Sequence, residues 1–322
     1  MSSPRSSSLL AWPAAKPSRA GRPAAAPANR TRLKRKLKEN LTAYGLLCAA
    51  LVVFALFSWY PIVRGVLLSF QQVDFVNAPT WVGFGNFTRL FEDPLFGVAW
   101  RNTLLFTGLA LVFGFAVPFF TAVLLNELRH AKAFFRLAVY LPVMLPPVVT
   151  ALMWKWFYDP GPGLFNSALG AVGLPGGQWL DSSTTAMLSL VFVSTWANMG
   201  STTLIYLAAL GTIPGELYEA AELDGAGLWK RLRHVTFPQT RFVLLVLLLL
   251  QVVATMQVFT EPYVMTGGGP DDSTVTVLLL LYRYAFVYND FGSASAMSLL
   301  LFVALGVFSA WYVRLTRKAD QS

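Results

Sequence analysis

The feature that most constrains the fold is a series of long apolar runs, each close to the length that crosses a lipid bilayer. A helix needs about 20 apolar residues to cross the hydrocarbon core, and several runs in this chain reach that length. Only 13% of the residues are charged, about half the proportion in average soluble domains. The runs are continuously apolar, whereas the strands of a membrane β-barrel alternate over about ten residues. The sequence therefore predicts an all-α polytopic membrane protein.

Six transmembrane helices account for the apolar runs and form one transmembrane domain over residues 41–322. The run Val275–Leu281 has only seven residues and is predicted to be a short interfacial or re-entrant helix. The six spans are predicted at residues 41–66, 102–126, 136–157, 185–211, 241–264 and 292–313.

Prolines interrupt the second and third spans, at Pro118, Pro142, Pro146 and Pro147. Proline removes a helix hydrogen bond and bends the axis, which neighbouring helices or a cavity can compensate in a membrane. These prolines are either fixed kinks or joints in helices that line a pathway.

Residues 1–40 form a basic tail that is predicted to be disordered and cytoplasmic. Ser, Pro, Ala and Arg dominate it, no acid precedes Glu39, and such a composition cannot bury a core. An acid-poor start rich in Arg and Ser is also typical of an organelle transit peptide, which is the alternative. Ten of the 25 lysines and arginines lie in this tail beside the first span, where they favour contact with anionic lipid headgroups over nucleic-acid binding.

The distribution of positive charge predicts that both termini and the loop at residues 212–240 are cytoplasmic. Short loops rich in Lys and Arg stay on the inner side of the membrane. With the N-terminus inside, the inner loops and C-terminus contain Arg129, Lys132, Arg136, Lys230, Arg231, Arg233, Arg241, Arg314, Arg317 and Lys318. The basic residues of the outer loops are Arg89, Arg101 and Arg283, among many acids. We expect a multi-pass protein of a prokaryotic cell membrane.

The residues that enzymes and metal sites require are missing or dispersed. No lysine follows a glycine, so the sequence contains no phosphate-binding G-x-x-x-x-G-K-[ST] loop. Cys48 is the single cysteine, and His130 and His234 lie far apart, whereas a zinc site needs three or four clustered ligands. We therefore expect no catalytic residue, metal or cofactor in this chain, and we expect the energy for any uphill transport to come from elsewhere.

The longest polar interruption in the hydrophobic C-terminal half is the loop at residues 212–240, called the polar loop below. Acids recur every three residues in its first part, at the end of a helix where the dipole favours them. Gly225 or Gly227 can end that helix in a left-handed conformation. A short basic helix, Leu228–His234, is expected next, and Pro238 is expected to start the following span. This pattern fits either a solvated connector or a surface that binds a groove in another protein.

Within the polar loop, Glu219-Ala-Ala-x-x-Asp224-Gly225-Ala226, with Pro238 beyond it, resembles the EAA loop of the permease subunits of ABC importers. The resemblance implies the type I (MetI-like) permease fold and a coupling helix that docks into a cleft on a cytoplasmic ATPase. It implies that Glu219 meets a basic residue of the ATPase and that Gly225 makes the turn. The ATPase-coupling residues that it implies are Glu219, Ala220, Ala221, Asp224, Gly225, Ala226 and Pro238.

A second segment resembles the permeases of the carbohydrate-uptake group. It comprises Thr266-Gly-Gly-Gly-Pro270, Thr274, Tyr282, Tyr284, Ala285-Phe286 and Gly292-x-Ala294-x-Ala296. Within that group it is similar to the maltose-, lactose- and glycerol-phosphate-type first subunit, and the resemblance covers about residues 41–316. It implies three kinds of partner: a second, non-identical permease subunit, an ATPase dimer that binds the ATP, and an extracytoplasmic sugar-binding protein.

Neutral polar residues recur on one face of the fourth and fifth predicted spans. Ser194, Asn198 and Ser201 follow a helical spacing, and Gln251 and Thr255 are four residues apart. At about 1.5 Å per residue, both sets lie roughly 20 Å from the inner boundary, near the middle of the bilayer. Such groups suit an uncharged polyol, and transporters bind their substrates at this depth. The alternative is that they hold the helices together by hydrogen bonds.

We therefore predict one transmembrane subunit of an ATP-driven, binding-protein-dependent sugar importer, which forms half of the pathway and couples to the ATPase through residues 219–238. An importer of glycerol phosphate or another polyol is the alternative within this class. An ion-driven secondary carrier is the alternative from another class, and a structural or signalling subunit without a substrate path is a third.

Overall fold

The computed structural model describes residues 28–74, 76–128 and 130–319, and most of these residues are helical. The chain divides into two compact units, Met1–Pro61 and Ile62–Ser322. In the first unit, helix α1 is followed by a π-helical turn at Ala55–Trp59.

Helix α1 (Ala28–Phe54) begins earlier than the sequence analysis predicts. Disorder is predicted for residues 1–40, but residues 28–40 form the start of α1. Leu, Lys and Arg are frequent in this stretch and are good helix formers, so the helix of the first span extends into it. The earlier part of the predicted tail, residues 1–27, lies outside the described residues.

The described part of the second unit contains further helices and a short antiparallel strand pair, in which β1 (Gln71–Gln72) pairs with β2 (Thr80–Trp81). Helix α2 (Tyr60–Leu68) crosses the boundary between the units. The remaining helices are α3 (Gly85–Glu92), α4 (Pro94–Glu127), α5 (Lys132–Tyr140), α6 (Pro147–Phe157), α7 (Leu164–Ala171), α8 (Ala186–Leu210), α9 (Gly215–Leu223), α10 (Leu228–Arg231), α11 (Phe237–Thr255), α12 (Val277–Tyr282) and α13 (Phe291–Ala319).

Four helices in the described residues are long and apolar enough to cross a membrane, or up to five if one bent pair counts as a span. They are Ala43–Leu68, Pro94–Glu127, Leu228–Thr255 and Phe291–Arg317. Helix α8 is not among them, because the polar residues in its middle lower its hydropathy. Its 25 residues nevertheless extend about 38 Å, which exceeds the roughly 30 Å hydrocarbon core. The count of six spans stays a prediction.

The third predicted span, residues 136–157, is a bent pair of helices rather than one straight helix. Lys132–Met144 and Pro147–Phe157 meet at 99°. The bend falls at Leu145 and Pro146, which have extended backbone conformations between the two helices. The residue before a proline avoids the α conformation, and two consecutive prolines therefore end the first helix here.

The fifth predicted span, residues 241–264, also has different bounds in the structure. Helix begins at Leu228 and continues to Thr255, so the expected short helix Leu228–His234 is joined to the span. The junction is a π-helical turn at Leu232–Thr236, in which the Phe237 amide donates to the Leu232 carbonyl. Pro238 follows immediately in the first turn of α11. Proline cannot donate to the carbonyl four residues earlier, and the wider π turn accommodates this loss without ending the helix.

The packing of α4 against α8 is the most extensive contact between two helices in the described residues. Buried residues meet near the polar loop, namely Phe119, Ala122, Tyr206 and Leu210. A second buried cluster lies further along the same pair and includes Phe106, Ala110, Leu190 and Val193. Between them, the fully buried Thr203 hydroxyl donates to the Pro118 carbonyl, at 3.4 Å. The proline within α4 therefore lies at a well-packed contact.

At the end of the unit farthest from the polar loop, a buried amide and an exposed ion pair connect separate segments of the chain. The Asn86 side-chain amide donates to the carbonyls of Ser69 and Gln71, both at 2.9 Å. The Arg89 guanidinium contacts the Asp290 carboxylate at 2.7 Å and joins α3 to the start of α13. These bonds connect segments that are up to about 200 residues apart in sequence.

We predict that Asn102→Leu lowers the thermal unfolding midpoint of the purified protein by several degrees. The Asn102 amide is buried and donates to the carbonyls of Asp272, at 2.8 Å, and Val275, at 3.1 Å. A buried carbonyl that loses its donor costs about 1–3 kcal/mol. Asn198→Leu is the control, because Asn198 is exposed and its amide bonds only within its own helix. Equal midpoints for the two variants would contradict this role of Asn102.

Candidate functional site

The polar faces of α8 and α11 line one cavity, together with α4. Its volume is about 520 Å³. All five residues that the sequence analysis selects for the substrate path lie in its wall, namely Ser194, Asn198, Ser201, Gln251 and Thr255. The structure therefore brings together two sets of residues that are about 50 positions apart in sequence.

On the α8 side, the polar side chains are anchored to their own helix. The Asn198 amide donates to the Ser194 carbonyl at 2.9 Å, and the Ser201 hydroxyl donates to the Asn198 carbonyl at 3.1 Å. Asn198 and Ser201 are both exposed at the cavity wall. Their oxygens keep the capacity to accept hydrogen bonds from a ligand.

On the α11 side, Gln251 has a structural contact as well as a place in the cavity wall. Its side-chain amide donates to the Ala110 carbonyl of α4 at 2.6 Å. Gly114, one turn further along α4, leaves room for this approach, since an added Cβ would lie 2.5 Å from the Gln251 nitrogen. Thr255 donates to the Gln251 carbonyl at 2.8 Å. One N–H of the Gln251 side chain thus links α11 to α4. Holding helices together by hydrogen bonds is the alternative role predicted for this residue.

Two residues that were not selected also belong to the polar wall. The Thr195 hydroxyl is buried in the cavity wall and has no hydrogen-bond partner in the described residues. The Glu261 carboxylate lies within hydrogen-bonding reach of the Ser194 hydroxyl. Glu261 follows the end of α11, and a turn after Thr255 brings its side chain next to Ser194 of α8. No sequence pattern predicts this turn.

Glu261 and Asn198 also line a smaller cavity of about 70 Å³ behind the bend between α5 and α6. Thr150 lies in the wall of this second cavity, is buried, and its hydroxyl has no partner in the described residues. Trp196, in contrast, packs against Trp154 with ring centroids 5.3 Å apart. Its role is therefore packing.

The polar loop begins with α9, which ends in a glycine-based helix cap. The Gly225 amide donates to the Glu222 carbonyl and the Ala226 amide donates to the Ala221 carbonyl, both at 2.9 Å. This pair of bonds defines a Schellman motif. Gly225 has a φ of +70°, a left-handed conformation that glycine adopts without the steric cost of a Cβ. The turn therefore lies at Gly225 rather than Gly227.

The surface of α9 combines exposed acids with exposed apolar atoms. Glu219, Ala220 and Asp224 are exposed, and Ala221 and Ala226 are half-buried. Leu223 is 90% exposed. A single exposed leucine is common on protein surfaces, so this exposure alone does not distinguish a partner-binding surface from a solvated connector.

Two contacts fix α9 to the helix that follows it. The Tyr218 hydroxyl lies 3.0 Å from that of Thr236, which is buried in the π turn. The Arg231 guanidinium contacts the carboxylate of Glu222 on α9 and lies 4.0 Å from that of Glu127 at the end of α4. Nothing in the sequence predicts these contacts, because neither Tyr218 and Thr236 nor Arg231 and Glu222 have a spacing that indicates an interaction.

Residues 111–321 match the family model described as "Binding-protein-dependent transport system inner membrane component". The chain belongs to this family. The match covers α8, α11 and the polar loop, and it confirms the resemblance to ABC importer permeases and the MetI-like fold. The protein is thus a membrane component of a transport system.

Individual relatives agree with the family over most of the chain. The probable ABC transporter permease protein YurN of Bacillus subtilis is 38% identical over 83% of this chain and 92% of its own length. The trehalose/maltose transport system permease protein MalF of Thermococcus litoralis is 30% identical over 88% and 96%. A solved bacterial ABC transporter involved in the import of the acidic polysaccharide alginate has a TM-score of 0.80 at 26% identity, covering 89% and 99%.

We predict that Gly225→Ala speeds hydrogen exchange of the Gly225–Ala226 amides about 5- to 30-fold, because a left-handed alanine costs about 1–2 kcal/mol. Gly215→Ala is the matched control, since an added Cβ meets nothing within 4 Å at either position and only Gly225 has a positive φ. Exchange would be followed by mass spectrometry of peptides across α9. Equal exchange in both variants would contradict the cap.

Proposed function

We propose that this chain is one of two transmembrane subunits of an ATP-driven sugar importer, with both termini in the cytoplasm. The observation that carries the proposal is the cavity between α8 and α11. Its wall holds uncharged hydrogen-bonding residues, and one of its helices runs without a break from the polar loop. The chain forms half of the translocation path, and the second permease subunit forms the other half.

The chemistry of the cavity favours a neutral sugar. Serine, threonine, asparagine and glutamine side chains both donate and accept hydrogen bonds, as a polyol does. The residues that line the cavity in the described part of the chain include no lysine or arginine, and Glu261 contributes a carboxylate. A phosphate or other anion would meet repulsion without a compensating cation. The names of the similar proteins refer to trehalose/maltose and to the acidic polysaccharide alginate, so an anionic substrate is the alternative.

The polar loop is the proposed contact with the ATPase. In this proposal Glu219 meets a basic residue in a cleft of the ATPase, while Ala220, Ala221 and Ala226 let the helix enter. Asp224 and Gly225 form the turn, and Pro238 lies at the start of α11. The contacts of Tyr218 and Arg231 support this role, because they make α9 move together with the helix that reaches the cavity.

The transport cycle then needs no chemistry in this chain. An extracytoplasmic binding protein delivers the sugar, the family being binding-protein-dependent. ATP closes the ATPase dimer, and α9 transmits that closure to α11 and α8. The sugar is then released to the cytoplasm, where hydrogen bonds to water replace those to Asn198, Thr255 and their neighbours.

We predict that Asn198→Leu combined with Thr255→Val lowers the kcat/KM of sugar uptake at least tenfold. Two lost hydrogen bonds at about 1 kcal/mol each account for this. ATPase stimulation by the loaded binding protein is expected to persist, because the polar loop is intact. Thr121→Val is the matched control, since Thr121 also bonds to its own helix, at 2.7 Å, but does not line the cavity. Unchanged uptake by the double variant would favour a structural subunit without a substrate path.

A comparison of substrates on the wild-type transporter distinguishes a neutral from an anionic substrate. Wild-type transporter would be offered neutral disaccharides and glycerol phosphate in parallel in proteoliposomes. Preferred uptake of the phosphate would overturn the neutral-sugar proposal while leaving the importer intact.

We predict that Glu219→Lys abolishes uptake, because it reverses the charge that meets the ATPase, while membrane insertion is unchanged. Glu219→Gln keeps the size of the side chain and should reduce uptake only partly. Insertion and co-purification with the ATPase would be measured for each variant.

Strong uptake by Glu219→Lys would contradict the coupling role. Uptake by the isolated chain with an ion gradient and without ATP would instead favour a secondary carrier.

A further inference from the structure

Glu261 is the one charged residue among the described residues that line the cavity of about 520 Å³. It is half-buried and also lies in the wall of the cavity of about 70 Å³ behind the bend between α5 and α6. Ser194, which is within hydrogen-bonding reach of Glu261, is one turn farther from the polar loop than Asn198. The carboxylate therefore lies at the end of the polar wall that is away from the polar loop.

A carboxylate at this position needs a polar partner. Ionisable groups within the membrane are costly unless they are paired, and they mark the pathways of substrates and ions. No lysine or arginine lines either cavity in the part of the chain that the structure describes. Lys155 of α6 lines neither, and its ammonium lies 3.5 Å from the Val264 carbonyl. The polar groups of this chain that surround Glu261 in the cavities are therefore hydroxyls and amides.

Those groups leave part of the carboxylate's hydrogen-bonding capacity for a ligand. An ionised carboxylate has two oxygens with about four acceptor sites. One N–H of Asn198 already donates to the Ser194 carbonyl. Even if the Ser194 hydroxyl and the second N–H of Asn198 both donate to Glu261, about two acceptor sites remain.

The small cavity gives the other side of the carboxylate polar surroundings. The Thr150 hydroxyl lines this cavity, is buried, and has no hydrogen-bond partner in the described residues. A space of about 70 Å³ is large enough for one or two water molecules that bond to both Thr150 and Glu261. Glu261 is thus supported from behind while it faces the larger cavity.

We propose that Glu261 is a specificity-determining residue of the proposed sugar site, whose carboxylate accepts hydrogen bonds from two neighbouring hydroxyls of a neutral sugar. Adjacent ring hydroxyls can direct two O–H donors toward the two oxygens of one carboxylate. Hydrogen bonds to a charged acceptor are roughly twice as strong as those between neutral groups. The inference rests on the proposed function, and it adds the feature of the sugar that is recognised.

The same carboxylate selects against acidic sugars. A carboxylate or phosphate on the substrate would bring two like charges together where no basic residue of the described chain lines the wall. Water is partly excluded from such a site, and the repulsion between like charges is stronger there than in bulk water.

The proposal is tested by measuring sugar binding to the complete transporter, purified with its partner subunits but without the binding protein. The probes are neutral disaccharides, among them trehalose and maltose, and the monodeoxy analogues of the one that binds most tightly. An alginate disaccharide is the acidic probe. Saturation-transfer NMR titrations give the affinity of each probe.

Glu261→Gln should weaken binding of the neutral disaccharide about tenfold, because charge-assisted hydrogen bonds become neutral ones. At least one monodeoxy analogue should bind wild type about tenfold more weakly than the parent sugar, and this difference should largely disappear in Glu261→Gln. The alginate disaccharide should bind Glu261→Gln several-fold more tightly than wild type. Glu261→Asp keeps the charge and should continue to reject the acidic probe.

Glu92→Gln is the matched control. It makes the same change at an exposed glutamate at the end of α3 that lines neither cavity, and it should bind all probes as wild type does. Each variant must keep the wild-type subunit composition and unfolding midpoint.

Wild-type affinities in Glu261→Gln would overturn the proposal. Equal losses for the parent sugar and every monodeoxy analogue would also overturn it, and would assign Glu261 to a contact with the partner subunit. If Asn198→Leu with Thr255→Val weakens binding and Glu261→Gln does not, this inference fails while the proposed function stands. If no neutral disaccharide binds wild type, both fail.

Discussion

The contact between α4 and α8 is the interaction on which the rest of the second unit depends. In a bilayer, helices gain little from the hydrophobic effect when they associate, so close packing and interhelical hydrogen bonds must hold them. The chain provides both, through the cluster around Tyr206 and the bond from Thr203 to the Pro118 carbonyl. Because this pair is fixed, α11 can lie against α4 through Gln251 and leave a polar cavity beside α8.

The sequence allowed the fold class and the membership of the permease family to be predicted, because each rests on a long pattern. Apolar runs of bilayer length leave few alternatives to helices, and the polar loop combines acids, alanines and a glycine at fixed spacing. The helical spacing of Ser194, Asn198 and Ser201 likewise placed them on one face. Thr255 and Asn198 have the same predicted depth in the bilayer, and in the structure both line the wall of one cavity.

Other features depend on three-dimensional contacts that spacing does not encode. The third span has a 99° bend because Leu145 and Pro146 adopt extended conformations, and composition alone could not fix where or how far it would bend. Glu261 lies beside Ser194 only because the chain folds back after Thr255. Gln251 contacts the Ala110 carbonyl because Gly114 has no side chain, which requires knowing the neighbouring helix.

The π turn at Leu232–Thr236 sets the rotational register between the part of the helix that lies next to α9 and the part that lines the cavity. Leu228–Thr255 has 28 residues and extends about 42 Å as a single rod. A π turn inserts one additional residue, and each residue of a helix corresponds to about 100° of rotation. The inserted residue therefore determines which side of Phe237–Thr255 meets the cavity for a given orientation of α9. Without the inserted residue, Phe237–Thr255 would be rotated by about 100° relative to α9, and Gln251 would lose its present position in the cavity wall.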